Sequence, residues 1–544
     1  MDSDAGIGTT VGFHENRTSN RHSRIRTGTL INVTPKLIPC WFLFLFAAFA
    51  VPAQTYPLAI TDRALMNPEV LHARNWPSSL GLPPLAITRS NAGERWNGIE
   101  TARGEFNPNF GNLFTPETGW VDVAARNHTD LIYTFNTVPG WAARQPGSGP
   151  AKIAPYDIDE ENEKCEAPLA GVTSPNGNCI WKEWITALMQ KNCGVQAKPD
   201  HPLEDRCKIR NFESWNEFNA ELFWQDSLAH LAKMANDMAI IVRSYCGDCT
   251  IVGGSTSAGG VGRGGNGPGG SGSFAVALGQ FLDAWHAIPG ASLPDAVSFH
   301  AYPSRTNVSY PPFPESNISF NDPKCSPGTV PNVQCEHPTA HQPERLREVL
   351  AARSYLPANI PIWNTESGWN TNKTLLHGVD ADGHADQETG ILRQAYLSRL
   401  EILLANQGVA VNIWYEADHQ CTGTMVGFGL PVTSPEFRSC PNDPPIPSGL
   451  TPTGRALNTV YQWLHGGTFT GPCKYSGDVW WCPVSGQGSG DGVLAWTTSW
   501  KGPESASKLP GKFQFAHTLD GETLACKADE KTVESRPRLF NNRQ

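Results

Sequence analysis

The chain has 544 residues, 39% of them apolar and 17% charged, with 52 glycines and 44 prolines. That composition supports a large core with long loops and argues against a disordered chain. The formal net charge is −10 and no sustained run of lysine and arginine follows residue 26, which argues against nucleic acid and anionic membranes as partners.

In chain order, Arg21, Arg24, Arg26 and Lys36 precede the apolar run 37–51, and Val51-Pro-Ala53 precedes Gln54. A basic region, an apolar stretch and a small-residue site in that order read as a secretory signal, so 1–53 is leader and signal, with cleavage after Ala53. The run is shorter than the roughly 20 residues a bilayer-spanning helix needs, and no stable membrane span is expected. The 14 cysteines suit export to an oxidising compartment. Cys40 leaves with the signal. The others fall into local couples, Cys165/Cys179, Cys193/Cys207, Cys246/Cys249, Cys325/Cys335, Cys421/Cys440 and Cys473/Cys482, with Cys526 left over. Sequence alone leaves the connectivity open; these couples are the expected bridges. Cys246-Gly-Asp-Cys249 has redox spacing, but at a helix end in an exported chain it reads as a structural bridge, and no second pair at finger-like spacing argues for zinc.

From residue 55 onward, short β-prone runs alternate with helix-length amphipathic segments, the rhythm of parallel strands joined by helices. Eight runs stand out, at 58–60, 85–89, 131–136, 209–215, 250–254, 296–300, 362–366 and 410–414. Helices are expected at 180–191, 227–245, 274–286, 343–354, 387–405 and 454–464, with a short one near 120–127. Eight such units predict an α/β fold, a closed (β/α)8 TIM barrel over 54–465, whose functional residues sit at the C-terminal strand ends. The loops after strands are long, as at 140–178, 253–273 and 303–337; the glycine run in the second lacks the Gly-Lys-Ser/Thr ending of a phosphate loop and reads as a rim. Past Leu464 short alternating segments predict a small C-terminal β-domain over 466–526, and 527–544 reads as a charged, frayed tail.

Two of the eight runs end on a glutamate: Asn211-Phe-Glu-Ser-Trp-Asn-Glu217 and Pro361-Ile-Trp-Asn-Thr-Glu366-Ser-Gly-Trp369. A glutamate by itself is most often an exposed loop carboxylate. Two of them at barrel strand ends form an acid/base pair, one carboxyl able to protonate a leaving oxygen and the other to attack or to activate water. The 18 tryptophans also offer aromatic faces to sugar rings, although core packing accounts for most of them.

With these motifs the chain resembles the clan A retaining glycoside hydrolases, most nearly the family 39-like members, over roughly residues 57–520. Five stretches carry the resemblance: Arg95-Trp96-Asn-Gly-Ile-Glu100 with Arg103-Gly-Glu-Phe106, Tyr133-Thr-Phe-Asn136 leading to Pro139-Gly-Trp141, Trp215-Asn216-Glu217, Ser298-Phe-His300-Ala-Tyr302, and Thr365-Glu366-Ser-Gly-Trp369. It implies that Glu217 is the general acid/base and Glu366 the nucleophile. It also implies substrate contacts from Asn216, which holds the sugar 2-hydroxyl, and from His300, Tyr302, Trp414, Asn136, Trp141 and Arg89. The chain departs from the family in two places: Phe218 stands where a proline often follows the acid, and Ile87-Thr-Arg89-Ser-Asn91 replaces an arginine-aromatic-aspartate pattern.

The resulting expectation is a secreted hydrolase of β-linked glycans or glycosides that works by double displacement, with no metal and no cofactor. Glu217 should have a raised pKa beside a charged Glu366. One alternative is a carbohydrate-binding barrel that has lost turnover, which the presence of both glutamates disfavours. Another is a metal-dependent hydrolase using His300, Asp418 and His419, which show no ligand spacing.

Overall fold

The computed structural model describes residues 58–61, 87–90, 95–160 (without 112, 118, 127, 146 and 148–150), 165, 177–194, 207–257, 274–301, 342–367, 387–415, 432–433, 449–450, 452–486, 491–498, 504–505, 509–526 and 532–543. All of them belong to one compact unit, Ala50–Gln544. The expected signal sequence and its cleavage site lie outside the described residues.

Eight strands close a parallel barrel: β1 (Leu58–Thr61), β2 (Ile87–Ser90), β3 (Asp130–Thr134), β4 (Asn211–Glu213), β5 (Thr250–Gly253), β6 (Ala296–His300), β7 (Ile362–Ser367) and β8 (Val411–Tyr415). Each pairs with the next, and β8 pairs back with β1 through Leu58 opposite Asn412. Among the described residues a helix follows each strand from β2 onward: α1 (Trp120–Arg126), α2 (Cys179–Cys193), α3 (Leu228–Tyr245), α4 (Phe274–His286), α5 (Gln342–Ala351), α6 (Gln387–Asn406) and α7 (Pro452–Leu464). These are the elements that the hydrophobic rhythm predicts. Their ends are set locally; α3, for example, starts where the Ser227 hydroxyl accepts the His230 backbone N–H at 3.1 Å.

Strand alternation sorts the barrel wall into two faces. Ile87, Ile132, Val252, Ala296, Trp363, Val411 and Ile413 form one buried cluster on the inner face. Leu131, Tyr133, Phe212, Ile251, Val297, Phe299 and Ile362 face the other way, into the core shared with the helices. That core absorbs much of the tryptophan: Trp96, Trp181, Trp215 and Trp224 form a chain of ring contacts, with centroids 5.0 to 6.5 Å apart. One step further along the strands, at positions of the same parity as the apolar floor, the inner face turns polar with Arg89, Thr134, Glu213, Ser298 and Thr365, all buried.

The C-terminal sheet has seven strands, and six of them lie in the order Gly467–Phe469, Val479–Gly486, Gly492–Thr497, Arg538–Asn541, Phe515–His517, Thr523–Ala525. The expected charged tail is corrected here. Within 527–544, Arg538–Asn541 is an internal strand paired on both sides. Leu539 and Phe540, adjacent and therefore on opposite faces, are buried in two different clusters, one of them shared with Ile402, Val460 and Trp463 of α6 and α7. A four-residue strand flanked by arginines carries too little periodicity to be read from sequence.

The sheet is tied to the barrel by the buried Arg399 of α6, whose guanidinium donates to the carbonyls of Ser535 (Nε, 2.9 Å) and Thr497 (Nη2, 2.8 Å). Cys165–Cys179, Cys193–Cys207, Cys246–Cys249 and Cys473–Cys482 are bridged as expected, and Cys526 belongs to none of these four bridges. The other two couples and Cys40 lie outside the described residues. Among the described residues no helix is long and apolar enough to cross a membrane.

Candidate active site

The polar layer inside the barrel is organised by one ion pair. Glu213 of β4 and Arg89 of β2 are both fully buried, and Arg89 Nε donates to Glu213 Oε2 at 2.7 Å. Thr134 of β3 donates to the same oxygen at 2.8 Å, and Ser298 of β6 and Thr365 of β7 each donate to Oε1 at 2.7 Å. Burial opposes the charge on Glu213, but Arg89, His300 and the two hydroxyls on Oε1 outweigh it and hold this carboxyl below the ordinary carboxylate range. Burial likewise opposes the charge on Arg89, and Glu213 and Glu366 more than reverse that, so its pKa is raised.

The other end of the guanidinium reaches the candidate catalytic groups. Arg89 Nη1 donates to Glu366 Oε2 at 2.8 Å, and Nη2 donates to Asn216 Oδ1 at 2.8 Å. His300, at the end of β6, sets its Nδ1 2.8 Å from Glu217 Oε1 and 3.7 Å from Glu366 Oε2. One oxygen of each glutamate and a ring nitrogen of His300 lie within 4.8 Å of one another. The fold therefore brings together Glu217, Glu366, Asn216, His300 and Arg89 from four different strands.

Backbone geometry aims both carboxylates. On β7 the register against β6 runs Phe299 to Asn364 and then His300 to Glu366, so β7 carries one extra residue. The register against β8 shifts over the same stretch. Strict alternation would put Thr365 and Glu366 on opposite faces; the bulge lets Thr365 bond Glu213 while Glu366 bonds Arg89. Glu217 has φ 41°, the left-handed region that a side chain with a Cβ enters at a cost of about 1–3 kcal/mol. The turn is over-determined by Glu217 N–H donating to Ser255 Oγ (3.2 Å), Asn216 N–H to the Phe135 carbonyl (3.0 Å) and Phe218 N–H to the Ser255 carbonyl (3.3 Å).

The expected raised pKa of Glu217 is corrected by this arrangement. Burial pushes it up, but the His300 hydrogen bond and charge, with Ser257 and Arg89, more than reverse that, so Glu217 is held below the usual range. The largest opposing influence is the hydrogen bond from His300, whose Nδ1 lies 2.8 Å from Glu217 Oε1.

The remaining expected contacts sit less centrally. Asn136 is buried just beyond β3, next to Phe135 whose carbonyl binds Asn216. Trp141 donates its indole N–H to the Glu100 carbonyl at 3.1 Å and meets Trp96 edge-on. Trp414 is buried in the core shared with the helices. Tyr302, Asp418 and His419 lie outside the described residues. Among the described residues Glu217, His300 and Glu366 are the one group of three that could offer ligand atoms to a metal ion, and Arg89 already places a positive charge on Glu366 there.

Sequence reasoning passed over Glu213. The signal was present: an acid in β4 and a base in β2, each inside a strand of a parallel barrel buried on both faces, have to meet because neither can be buried unpaired.

The loop that carries Trp141 is latched to the segment following Glu217. Asp226 accepts from His230 Nδ1 (2.8 Å) and the Ala154 N–H (3.1 Å), and His230 Nε2 lies 3.0 Å from Asp159. Burial alone would raise Asp226, but His230, Ser227 and Ala154 outweigh it and hold its carboxyl at about 2 against 3.8, while the hydrogen bond to Asp226 raises His230 above 6.5. The depressed Asp226 contributes stability above pH 3.8 that is lost as pH falls through about 2, and the raised His230 contributes stability below pH 6.5 that is lost as pH rises through its folded value. The stability lost in His230→Gln, read from urea midpoints, should therefore be greatest between these limits and shrink on both sides. A pH-independent difference would show that the latch is not ionic.

No family model and no curated protein matches the chain. Solved structures do. A GH30 endoxylanase from Clostridium papyrosolvens C71 gives a TM-score of 0.44 at 10% identity, covering 90% of this chain and 98% of that one. CelM2, a bifunctional glucanase-xylanase from a metagenome library, gives 0.45 at 12% identity, covering 90% and 97%. A family 39 glycoside hydrolase from Bacteroides cellulosilyticus WH2 gives 0.54 at 16% identity, covering 90% of this chain and 81% of that one. At that identity the likeness is one of fold: this chain is a (β/α)8 barrel with a small C-terminal β-domain, built like that of a glycoside hydrolase.

Proposed function

We propose that the protein is a secreted retaining glycoside hydrolase acting on β-linked glycans or glycosides. The observation that carries this reading is the carboxylate pair: oxygens of Glu217 and Glu366 lie within 4.8 Å at the C-terminal ends of their strands. Retaining enzymes keep their two carboxyl groups about 5–5.5 Å apart, whereas inverting enzymes leave about 6.5–9.5 Å for a water.

In this mechanism Glu366, oriented by Arg89, attacks the anomeric carbon while Glu217 protonates the leaving oxygen. The glycosyl-enzyme ester is then hydrolysed by water that Glu217 deprotonates. Asn216 is turned by Arg89 so that its amide nitrogen is the group left for the sugar 2-hydroxyl. Asn136, Trp141 and Tyr302 are assigned to substrate contacts on sequence position alone, whereas Trp414 packs into the core shared with the helices. The acid step needs Glu217 protonated, and the lowering of its pKa by His300 places the alkaline limb of kcat/KM early, giving an acidic optimum. His300→Asn should move that limb to higher pH.

The test is hydrolysis of a panel of aryl β-glycosides and plant and microbial polysaccharides, with the anomer first released read by NMR. Retention supports the proposal, and inversion or a wholly inert wild-type enzyme sinks it.

A further inference from the structure

Glu213 is fully buried with both carboxylate oxygens hydrogen-bonded, and takes no part in the mechanism above. Its oxygens accept from Arg89, Thr134, Ser298 and Thr365, and so gather side chains of β2, β3, β6 and β7 onto β4. Five barrel strands meet at this one group. Its only charged hydrogen-bond partner among the described residues is the guanidinium that also holds Glu366 and Asn216.

A carboxylate with four neutral or cationic donor residues and no exposure is costly to bury unless it is needed where it is. A core that only had to be filled could use apolar side chains here, as the next layer down does with Ile87, Ile132 and Trp363. The placement matters because an arginine with Glu366 as its sole counter-charge would do two things at once. It would hold the nucleophile in place and also withdraw its charge, lowering the nucleophilicity the attack requires. A second carboxylate on the same guanidinium separates the two effects.

Resting on the glycosidase reading of the site, we infer that Glu213 is a positioning residue for the reaction: it anchors Arg89 by its Nε edge and shares its charge, so that Arg89 orients Glu366 and Asn216 without neutralising the nucleophile. Glu213 acts through Arg89 and touches no substrate. Among the described residues, the charged and titratable groups placed around Glu366 include Arg89 from β2, His300 from β6 and Glu217 beyond β4, with Glu213 behind Arg89.

The experiment compares Glu213→Gln and Glu213→Asp with wild type, using an aryl glycoside that the wild-type enzyme hydrolyses. Glu213→Gln keeps the shape and removes the charge. Its kcat/KM should fall about 100-fold, the size of effect that a misplaced reacting group produces, with the loss in kcat rather than KM. The acid limb of kcat/KM should move to lower pH, because the site carries one negative charge fewer. Glu213→Asp restores the charge and should return the limb to its wild-type position. A group that only stabilises the fold would lower the active fraction, measured by burst titration, and leave the limb where it was.

If Glu213→Gln does not fold, Ser298→Ala combined with Thr365→Val decides the matter. It frees Oε1 of Glu213 while leaving every charge in place, and it should lower kcat with the limb unmoved. An active wild type whose Glu213→Gln limb stays within error, or a Ser298→Ala/Thr365→Val variant with wild-type kcat, overturns the inference while leaving the glycosidase reading intact. A wild type inert on every substrate of the panel overturns the reading itself.

Discussion

Turnover of Glu366→Ala is expected to fall by on the order of 10⁴-fold or more on every substrate, because in the proposed mechanism this is the group that forms the covalent bond. Azide should restore activity to this variant. A small anion fits the space vacated beside Arg89 and attacks from the same side, so the glycosyl azide has inverted configuration. Glu217→Ala should behave differently. Aryl glycosides with good leaving groups need no proton in the first step, so they should form the glycosyl-enzyme and show a burst, while glycosides with poor leaving groups should be nearly inert. Azide added to Glu217→Ala intercepts the intermediate and should give a product of retained configuration. The pair of outcomes separates the roles. If the two variants exchanged behaviour, the acid and the nucleophile would exchange with them. If neither lost activity, the carboxylate pair would not be catalytic.

Arg89→Met is expected to destabilise the fold by about 3–5 kcal/mol at neutral pH, the loss that follows when one partner of a buried ion pair is removed. Arg89 and Glu213 are both 0% exposed, so no water replaces the missing donors. The sign of the pH dependence follows from Glu213. Its folded pKa lies below the ordinary 4.5, so its ion pair contributes stability above that value and loses it as pH falls through the depressed folded pKa. In Arg89→Met the carboxyl has lost its cation and takes up a proton more readily, so the gap between wild type and variant should narrow in acid. Urea midpoints across a pH series measure both effects. The double variant Arg89→Met/Glu213→Met should recover part of the loss, because two apolar side chains leave no charge unpaired. A single variant as stable as wild type at neutral pH would mean that the pair does not hold the barrel interior. The same variant should also lose activity, since Glu366 and Asn216 both take their orientation from Arg89.

Much of this protein could be read from the chain itself, where the information is local. Hydrophobic periodicity set out eight strands and the helices between them, and strand-end position singled out Glu217 and Glu366. The spacing of the cysteines matched the four bridges found among the described residues. What the tertiary structure alone decided depends on residues far apart or on single backbone angles. Arg89 and Glu213 are 124 positions apart, and only barrel closure brings them together. The extra residue in β7 that turns Glu366 inward exists only relative to β6 and β8, because a bulge is a property of pairing and leaves no periodic trace in one strand. The strand Arg538–Asn541 is stabilised by partners on both sides, which four residues cannot announce. The charge state of Glu217 was expected from the second carboxylate, but His300, 83 positions away in the chain and 2.8 Å away in space, together with Ser257 and Arg89 outweighs its burial and holds it low.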